Sequence, residues 1–96
     1  MEFEWDPTKA ASNERKHDVT FEEAATAFAD ALAAIFPDPD HSEDEVREIL
    51  VGYSERGRLL IVSFTERSPN LRIISARIAN PAERRNHEEK PMREMP

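Results

Sequence analysis

The second half of the chain holds three runs, EVREILVGYS, RLLIVSFTER and LRIISARIA, in which apolar and polar residues alternate with the period of a β-strand. They are separated only by Glu55-Arg56-Gly57 and Ser68-Pro69-Asn70. Such connections permit a hairpin return and nothing else, because a parallel partner needs a crossover of about a dozen residues or more. The three strands must form an antiparallel meander, and its apolar face has to be covered by what the rest of a 96-residue chain can supply.

What the rest supplies is helical. EFEW reads as a short edge strand, and Asp6-Pro7 then provides an N-cap followed by proline at the first helical position, predicting a helix from Pro7 to Lys16 or His17. Thr20-Phe21-Glu22-Glu23 has the form of a capping box, in which hydroxyl and carboxylate satisfy each other's backbone donors. Phe21, Ala24, Ala25 and Phe28 give the second helix its apolar face, over roughly Phe21–Phe28. FPDPDHSEDE reads as a proline-broken acidic loop after a short apolar stretch, and Asn80-Pro81-Ala82-Glu83 caps a last helix that should run to about Lys90. The order βααβββα predicts an α+β fold, a small antiparallel sheet with helices packed on one face. Residues 1–90 are expected to form a single domain and residues 91–96 a flexible tail.

No apolar run approaches the length of a membrane span and no basic-then-apolar leader is present, so the expected compartment is the cytoplasm. The absence of cysteine excludes disulfides, cysteine nucleophiles and thiolate metal sites. A net charge of −7 argues against a polyanionic partner, yet it averages two unlike halves. Residues 1–55 carry 4 Lys or Arg against 15 Asp or Glu, whereas residues 56–85 carry 7 arginines, no lysine and 2 glutamates. A segment whose only cations are arginines suits recognition of phosphate or carboxylate, since the planar guanidinium fork matches both; it equally suits the solvated face of a sheet.

Helical spacing places Lys9, Asn13, Lys16 and His17 on one stripe of the first helix, with no apolar member. Period two places Ser63, Thr65 and Arg67 on one face of their strand, and Ile73, Ser75 and Arg77 on one face of theirs. Arg67 and Arg77 thus end two apolar strands where a cleft could open, or where each could pair with an acid such as Glu45 or Glu83. Trp5 could stack on a base or fill the rim of the core. Asp38, Asp40 and His41 match no established metal cage, so no metal is expected.

Taken together, FEWDPTKAASNERKH, VTFEEAATAF, DPDHSEDEVRE, GRLLIVSFTER and LRIISARIANPAERR, in that order and spacing, resemble the BrnT family of bacterial type II toxins, which share the RelE-like ribonuclease fold. Two positions depart from that family's pattern: Asp18 stands where a glycine is usual and His87 where the final helix usually has a tyrosine. The resemblance implies an endoribonuclease that cuts messenger RNA without a cofactor and inhibits translation and growth. It also implies a partner antitoxin, BrnA, whose ribbon-helix-helix domain represses the operon, so that contact with DNA is only indirect. A homodimer or a toxin–antitoxin heterotetramer would follow, with no membrane partner.

Metal-free RNA cleavage proceeds by attack of the 2′-hydroxyl on phosphorus, and it needs a base, an acid and cations to hold the charge gathering on phosphate. Lys16, His17, Arg67 and Arg77 supply parts of those kinds and are the expected catalytic set. Trp5, Lys9, Asn13, Arg47 and Arg72 are the expected substrate-binding set. The competing function is a binding module that serves only as partner and co-repressor of the antitoxin, for which the acidic first half would offer a surface to a basic segment.

Overall fold

A computed structural model of the protein describes residues 2–42 and 44–93. Its elements are β1 (Phe3–Glu4), α1 (Pro7–His17), α2 (Phe21–Thr26), β2 (Ala34–Pro37), β3 (Arg47–Tyr53), β4 (Leu59–Arg67), β5 (Asn70–Ile78) and α3 (Pro81–Arg93), with short 3-10 turns at Ala27–Ala29 and Pro39–His41. The fold is α+β. One five-stranded sheet has the order β1-β5-β4-β3-β2, in which the β3–β4–β5 meander is antiparallel as its short turns require.

Both edges of that sheet are contributed by the first half of the chain. β1 pairs with β5 in parallel, making the sheet mixed, and β2 adds to β3 in antiparallel register, with Phe36 opposite Ile49. β2 lies in the stretch read as apolar chain and loop. Four residues closed by Pro37 give little periodic signal, and an edge position is where a strand tolerates proline. α3 extends to Arg93, past the expected end at Lys90; residues 94–96 of the expected tail lie outside the described residues.

The meander buries one face fully and the other in part. Leu50, Leu60, Val62, Phe64, Leu71, Ile73 and Ala76 point into a main core closed by Val19, Phe21, Ala24 and Ala27 of the α1–α2 segment. Ring contacts knit this layer: Phe28 meets Phe3 at 5.1 Å and Phe64 at 5.0 Å, and Trp5 lies edge-on to Phe21 at 5.9 Å. On the opposite face Val51 and Leu59 pack with Phe36, Ile49, Tyr53 and Ile61. There α3 is fastened by Tyr53, whose hydroxyl donates to the Glu88 carboxylate at 2.7 Å, and whose ring meets that of His87 at 6.1 Å. The helices therefore sit on both faces, and not on one as the sequence suggested, because β3 and β4 carry apolar residues at successive positions.

The caps show how local signals are realised. Asp6 accepts from the Thr8 amide at 2.8 Å and starts α1. At α3 the box is reciprocal, Glu83 N–H donating to Asn80 Oδ1 at 2.8 Å and Asn80 N–H to Glu83 Oε1 at 2.9 Å. At α2 only half of it forms. Thr20 Oγ1 accepts from Glu23 N–H at 3.0 Å, but the Glu23 carboxylate turns inward to Arg58 and Ser54. The C-cap of α1 is Asp18, left-handed at φ 57°, a conformation that glycine adopts more cheaply than any other residue. Arg58 braces it by donating to the Asp18 carbonyl at 2.9 Å.

Gly52 in β3 is required by a close approach: a β-carbon there would stand 3.0 Å from the carbonyl oxygen of Ala27 and 3.0 Å from the Ala33 side chain. The absence of a side chain lets the 3-10 turn after α2 lie directly on the sheet.

Candidate active site

The face of the sheet opposite the main core changes character along its length. Cross-strand register lines up Arg77 with Ile61, Ser75 with Ser63, and Arg72 with Thr65, and each row continues onto β3 at Val51, Ile49 and Arg47. The first row lies toward α3 and is apolar beyond Arg77; the last, between β1 and the loop after β2, is cationic. The serine row lies between them.

A bulge decides this arrangement. Ser63 pairs with Ser75 and Phe64 with Ile73, leaving Ile74 without a partner on β4. The alternation along β5 is thereby shifted by one. Ile73 enters the main core at 2 % exposure, while Ser75 and Arg77 line the opposite face. The sequence reading put Ile73, Ser75 and Arg77 on one face; the bulge separates the isoleucine from the other two.

A cleft of about 210 Å³ opens over the serine row, lined by His17, Asp38, His41, Ser63, Ser75 and Arg77, with Ile49 and Ile61 in its floor. Five separate elements meet there: the end of α1, the turn after β2, and the middles of β3, β4 and β5. Through Ile49, Ile61 and Arg77 it continues into a more apolar hollow of about 180 Å³ beneath α3, where His87 and Asn86 stand. Of the residues singled out in the sequence as catalytic, the fold brings together His17 and Arg77. Lys16 is exposed and does not line the cleft, and Arg67 stands in a neighbouring depression with Glu45, Thr65 and Ser68.

The residues expected to bind substrate divide similarly. Lys9 is exposed on α1, and Trp5 packs at the rim of the main core. Asn13 is buried, at 6 % exposure, and its amide is spent on backbone. Its Nδ2 donates to the carbonyls of Val19 at 3.0 Å and Ala76 at 2.8 Å, while its Oδ1 accepts from Ala76 N–H at 3.1 Å. The side chain thus occupies the edge of β5 beyond the end of β1, taking the place of a strand, and gives α1 its anchor on the sheet. A polar stripe with no apolar member can still face inward when one of its members pairs with a strand edge.

Every strand arginine on this face has an acid beside it. Arg72 donates to Glu4 at 3.0 Å, Arg67 lies 3.5 Å from Glu45 and 3.8 Å from Glu4, and Arg47 lies 3.7 Å from Glu45. The Arg47 Nε is buried with no hydrogen-bond partner. Three guanidinium groups share the Glu4 and Glu45 carboxylates, and Asp40, Asp44, Glu48 and Glu66 line the same depressions, so the charge of the row is largely met by neighbouring acids. Arg77 is held more tightly, donating from both Nη atoms to the two oxygens of Glu83 at 2.8 Å each.

The Glu83 carboxyl is held at about 2, primarily by the hydrogen bond from Arg77 and with help from the Asn80 amide. Because its folded value lies below the ordinary value of 4.5, the pair's contribution to stability is complete above that value and is lost as pH falls toward about 2. Thermal melts between pH 5 and pH 2 should therefore show a smaller loss of stability for Glu83→Gln than for the parent, because the variant has already lost this contribution at neutral pH. Equal slopes would mean that the pair is screened by solvent and contributes nothing, as many exposed ion pairs do.

Asp38, His41, Ser63 and Ser75 were not in the site expected from sequence. A signal for the serines was available: two small polar residues interrupt otherwise apolar strands at positions that a buried sheet would fill with valine or isoleucine. The Asp38–His41 segment reads generically as a solvated acidic loop, although His41-Ser42 with Glu45 and Arg47 belongs to the DPDHSEDEVRE segment that carries the family resemblance. Among the described residues no three histidine, aspartate or glutamate side chains converge as a metal cage requires, and no helix is long and apolar enough to cross a membrane.

Comparison with known proteins accounts for most of the chain. Residues 5–83 match the family described as "Ribonuclease toxin, BrnT, of type II toxin-antitoxin system". The chain is also similar to the crystal structure of the Brucella abortus ribonuclease toxin BrnT, with a TM-score of 0.65 and 24 % identity over 83 % of this chain and 97 % of that one. No curated protein matches the chain.

Proposed function

The chain belongs to the BrnT family, the ribonuclease toxins of type II toxin–antitoxin systems, and from that premise we propose that it cuts messenger RNA endonucleolytically and without a metal, at the cleft that holds His17 and Arg77. The observation that carries this reading is the cleft itself. Two imidazoles, a guanidinium and two serine hydroxyls converge above a sheet whose next row carries Arg47 and Arg72. In-line attack by a 2′-hydroxyl needs groups that move protons and a cation on the phosphate oxygens, and it restricts the site to RNA, since DNA lacks the nucleophile. Histidine exchanges protons near neutral pH, and the planar fork of Arg77 fits a phosphate as it fits the Glu83 carboxylate. Arg47, Arg67 and Arg72 would bind the flanking backbone, and Lys16 would add positive charge beside His17. Asn13 is left out of this set, since its amide is committed to Ala76 and Val19.

Cleavage of messenger RNA would stop translation and growth, and the toxin, with a RelE-like fold, would act in the cytoplasm. It would be restrained by a BrnA-like ribbon-helix-helix antitoxin, as a heterotetramer or with the toxin as a homodimer, and would meet DNA only through that partner. A second reading, an inactive partner module, is favoured by the acids beside all four strand arginines, which an incoming phosphate must displace. Incubating the protein with labelled RNA and excess chelator separates the two. The enzyme should cut and leave 2′,3′-cyclic or 3′-phosphate ends. Cleavage abolished by chelation, or 5′-phosphate ends, would refute the metal-free reaction, and intact RNA with a tightly bound antitoxin would establish the partner module.

A further inference from the structure

We propose that His41, oriented by Asp38, is a second proton-transfer residue of the cleft and protonates the leaving 5′-oxygen, while His17 takes the proton of the 2′-hydroxyl. The proposal rests on the ribonuclease reading above and assigns the two halves of its proton traffic. His17 and His41 reach one cleft from different elements, the end of α1 and the 3-10 turn after β2, and both line it together with Ser63, Ser75 and Arg77. Two imidazoles on separate elements are what a reaction that removes one proton and delivers another requires.

Their surroundings differ, and the difference assigns the roles. The Nδ1 of His41 lies 3.1 Å from both carboxylate oxygens of Asp38. The Asp38 side chain is 15 % exposed against 66 % for His41. Its backbone is fixed on three sides: Asp38 N–H donates to the Arg47 carbonyl at 3.0 Å, and the Asp38 carbonyl accepts from Ser42 Oγ at 2.8 Å and from His41 N–H at 3.2 Å. With Nδ1 committed to the carboxylate, Nε2 is the nitrogen that His41 has free for the cleft. The carboxylate offsets the charge of a ring that carries a proton to be given away. His17 is exposed and has no hydrogen-bond or ion-pair partner among the described residues, so its ring nitrogens are open to the 2′-hydroxyl of an RNA in the cleft.

The step balances. A His17 nitrogen takes the proton from O2′, the O2′–P bond forms, and the P–O5′ bond breaks with its electron pair going to O5′. That oxygen receives the Nε2 proton of His41, giving a 2′,3′-cyclic phosphate and a 5′-hydroxyl. Asp38 touches neither substrate atom and acts as a positioning residue through the His41 ring.

The test uses one RNA oligonucleotide in two forms, with oxygen or with sulfur as the 5′-bridging atom at the cut linkage, because a thiolate leaves without being protonated. On the oxygen substrate His41→Ala and His41→Gln should be slower than the parent by about 10²–10⁴-fold, and Asp38→Asn by about 10–100-fold. On the sulfur substrate all three should recover to near the parent rate, whereas His17→Ala should remain slow on both. A merely structural role for Asp38 would slow both substrates alike. Parent-like cleavage of the oxygen substrate by the His41 variants, or equal slowing on the two substrates, overturns the proposal while leaving the ribonuclease reading intact. An inactive parent overturns that reading, and this proposal with it.

Discussion

Replacing His17 with alanine is expected to lower the rate of RNA cleavage by roughly two to four orders of magnitude, the span typical of a lost general acid or base, while RNA binding stays nearly intact. His17 is the last residue of α1 and is exposed, so the fold makes few demands on it. Losing a basic side chain from the final turn costs at most about 0.3–1 kcal/mol through the helix dipole. Single-turnover cleavage, measured beside RNA binding and a thermal melt, separates the two effects. Lys16→Ala should fall between His17→Ala and the parent, because a neighbouring cation outside the cleft acts on phosphate only at a distance. A folded His17→Ala protein that cuts at the parent rate would make Lys16-His17 no more than the polar end of a helix, and the chemistry would have to lie among the arginines.

The largest expected effect on stability lies far from the cleft. Glu23→Ala should destabilise the protein by about 3 kcal/mol, the lower end of the range for breaking a buried ion pair from one side, because Arg58 keeps some access to water. Glu23 is 5 % exposed. It accepts from Arg58 through Nε at 2.9 Å and again through Nη2, and from Ser54 Oγ at 2.7 Å. Arg58 in turn donates to the Asp18 carbonyl, so one guanidinium joins the end of α1, the start of α2 and the turn from β3 to β4. The Glu23 carboxyl is held below its ordinary value chiefly by that hydrogen bond from Arg58. Removing the carboxylate leaves a half-buried cation and a buried hydroxyl without their shared partner. For a domain of this size the loss corresponds to a fall in melting temperature of roughly 12–24 °C. A fall of only a few degrees would show that water repairs the gap.

Much of this molecule could be read from local chemistry. Asp6-Pro7 started α1 where a cap and a proline must, Asn80-Pro81-Ala82-Glu83 started α3, and two short turns forced the β3–β4–β5 meander. These features are legible because each is satisfied within a few residues: a cap closes onto its own first turn, and a hairpin onto its neighbour. The concentration of arginine after residue 55 was visible too, and three of those arginines, with Arg47, stand along the open face of the sheet.

What lay beyond the sequence depends on partners distant along the chain. The parallel pairing of Phe3 with Leu71, the Asn13 amide on Ala76 and the Glu23 carboxylate on Arg58 each join residues more than thirty positions apart, and no local pattern marks the match. The capping box at Thr20 forms only by half for the same reason, since the half-buried Arg58 guanidinium competes better for the Glu23 carboxylate than a helix-end amide does. The bulge at Ile74 reversed the facing of Ser75 and Arg77 relative to Ile73, and so decided which side chains meet His17. A strand's alternation is a local property, but the register at which it slips is set by the neighbouring strand and by the core that must be filled. Residue types that can move protons and hold phosphate are thus written in the chain, while their convergence on one cleft is a product of tertiary packing.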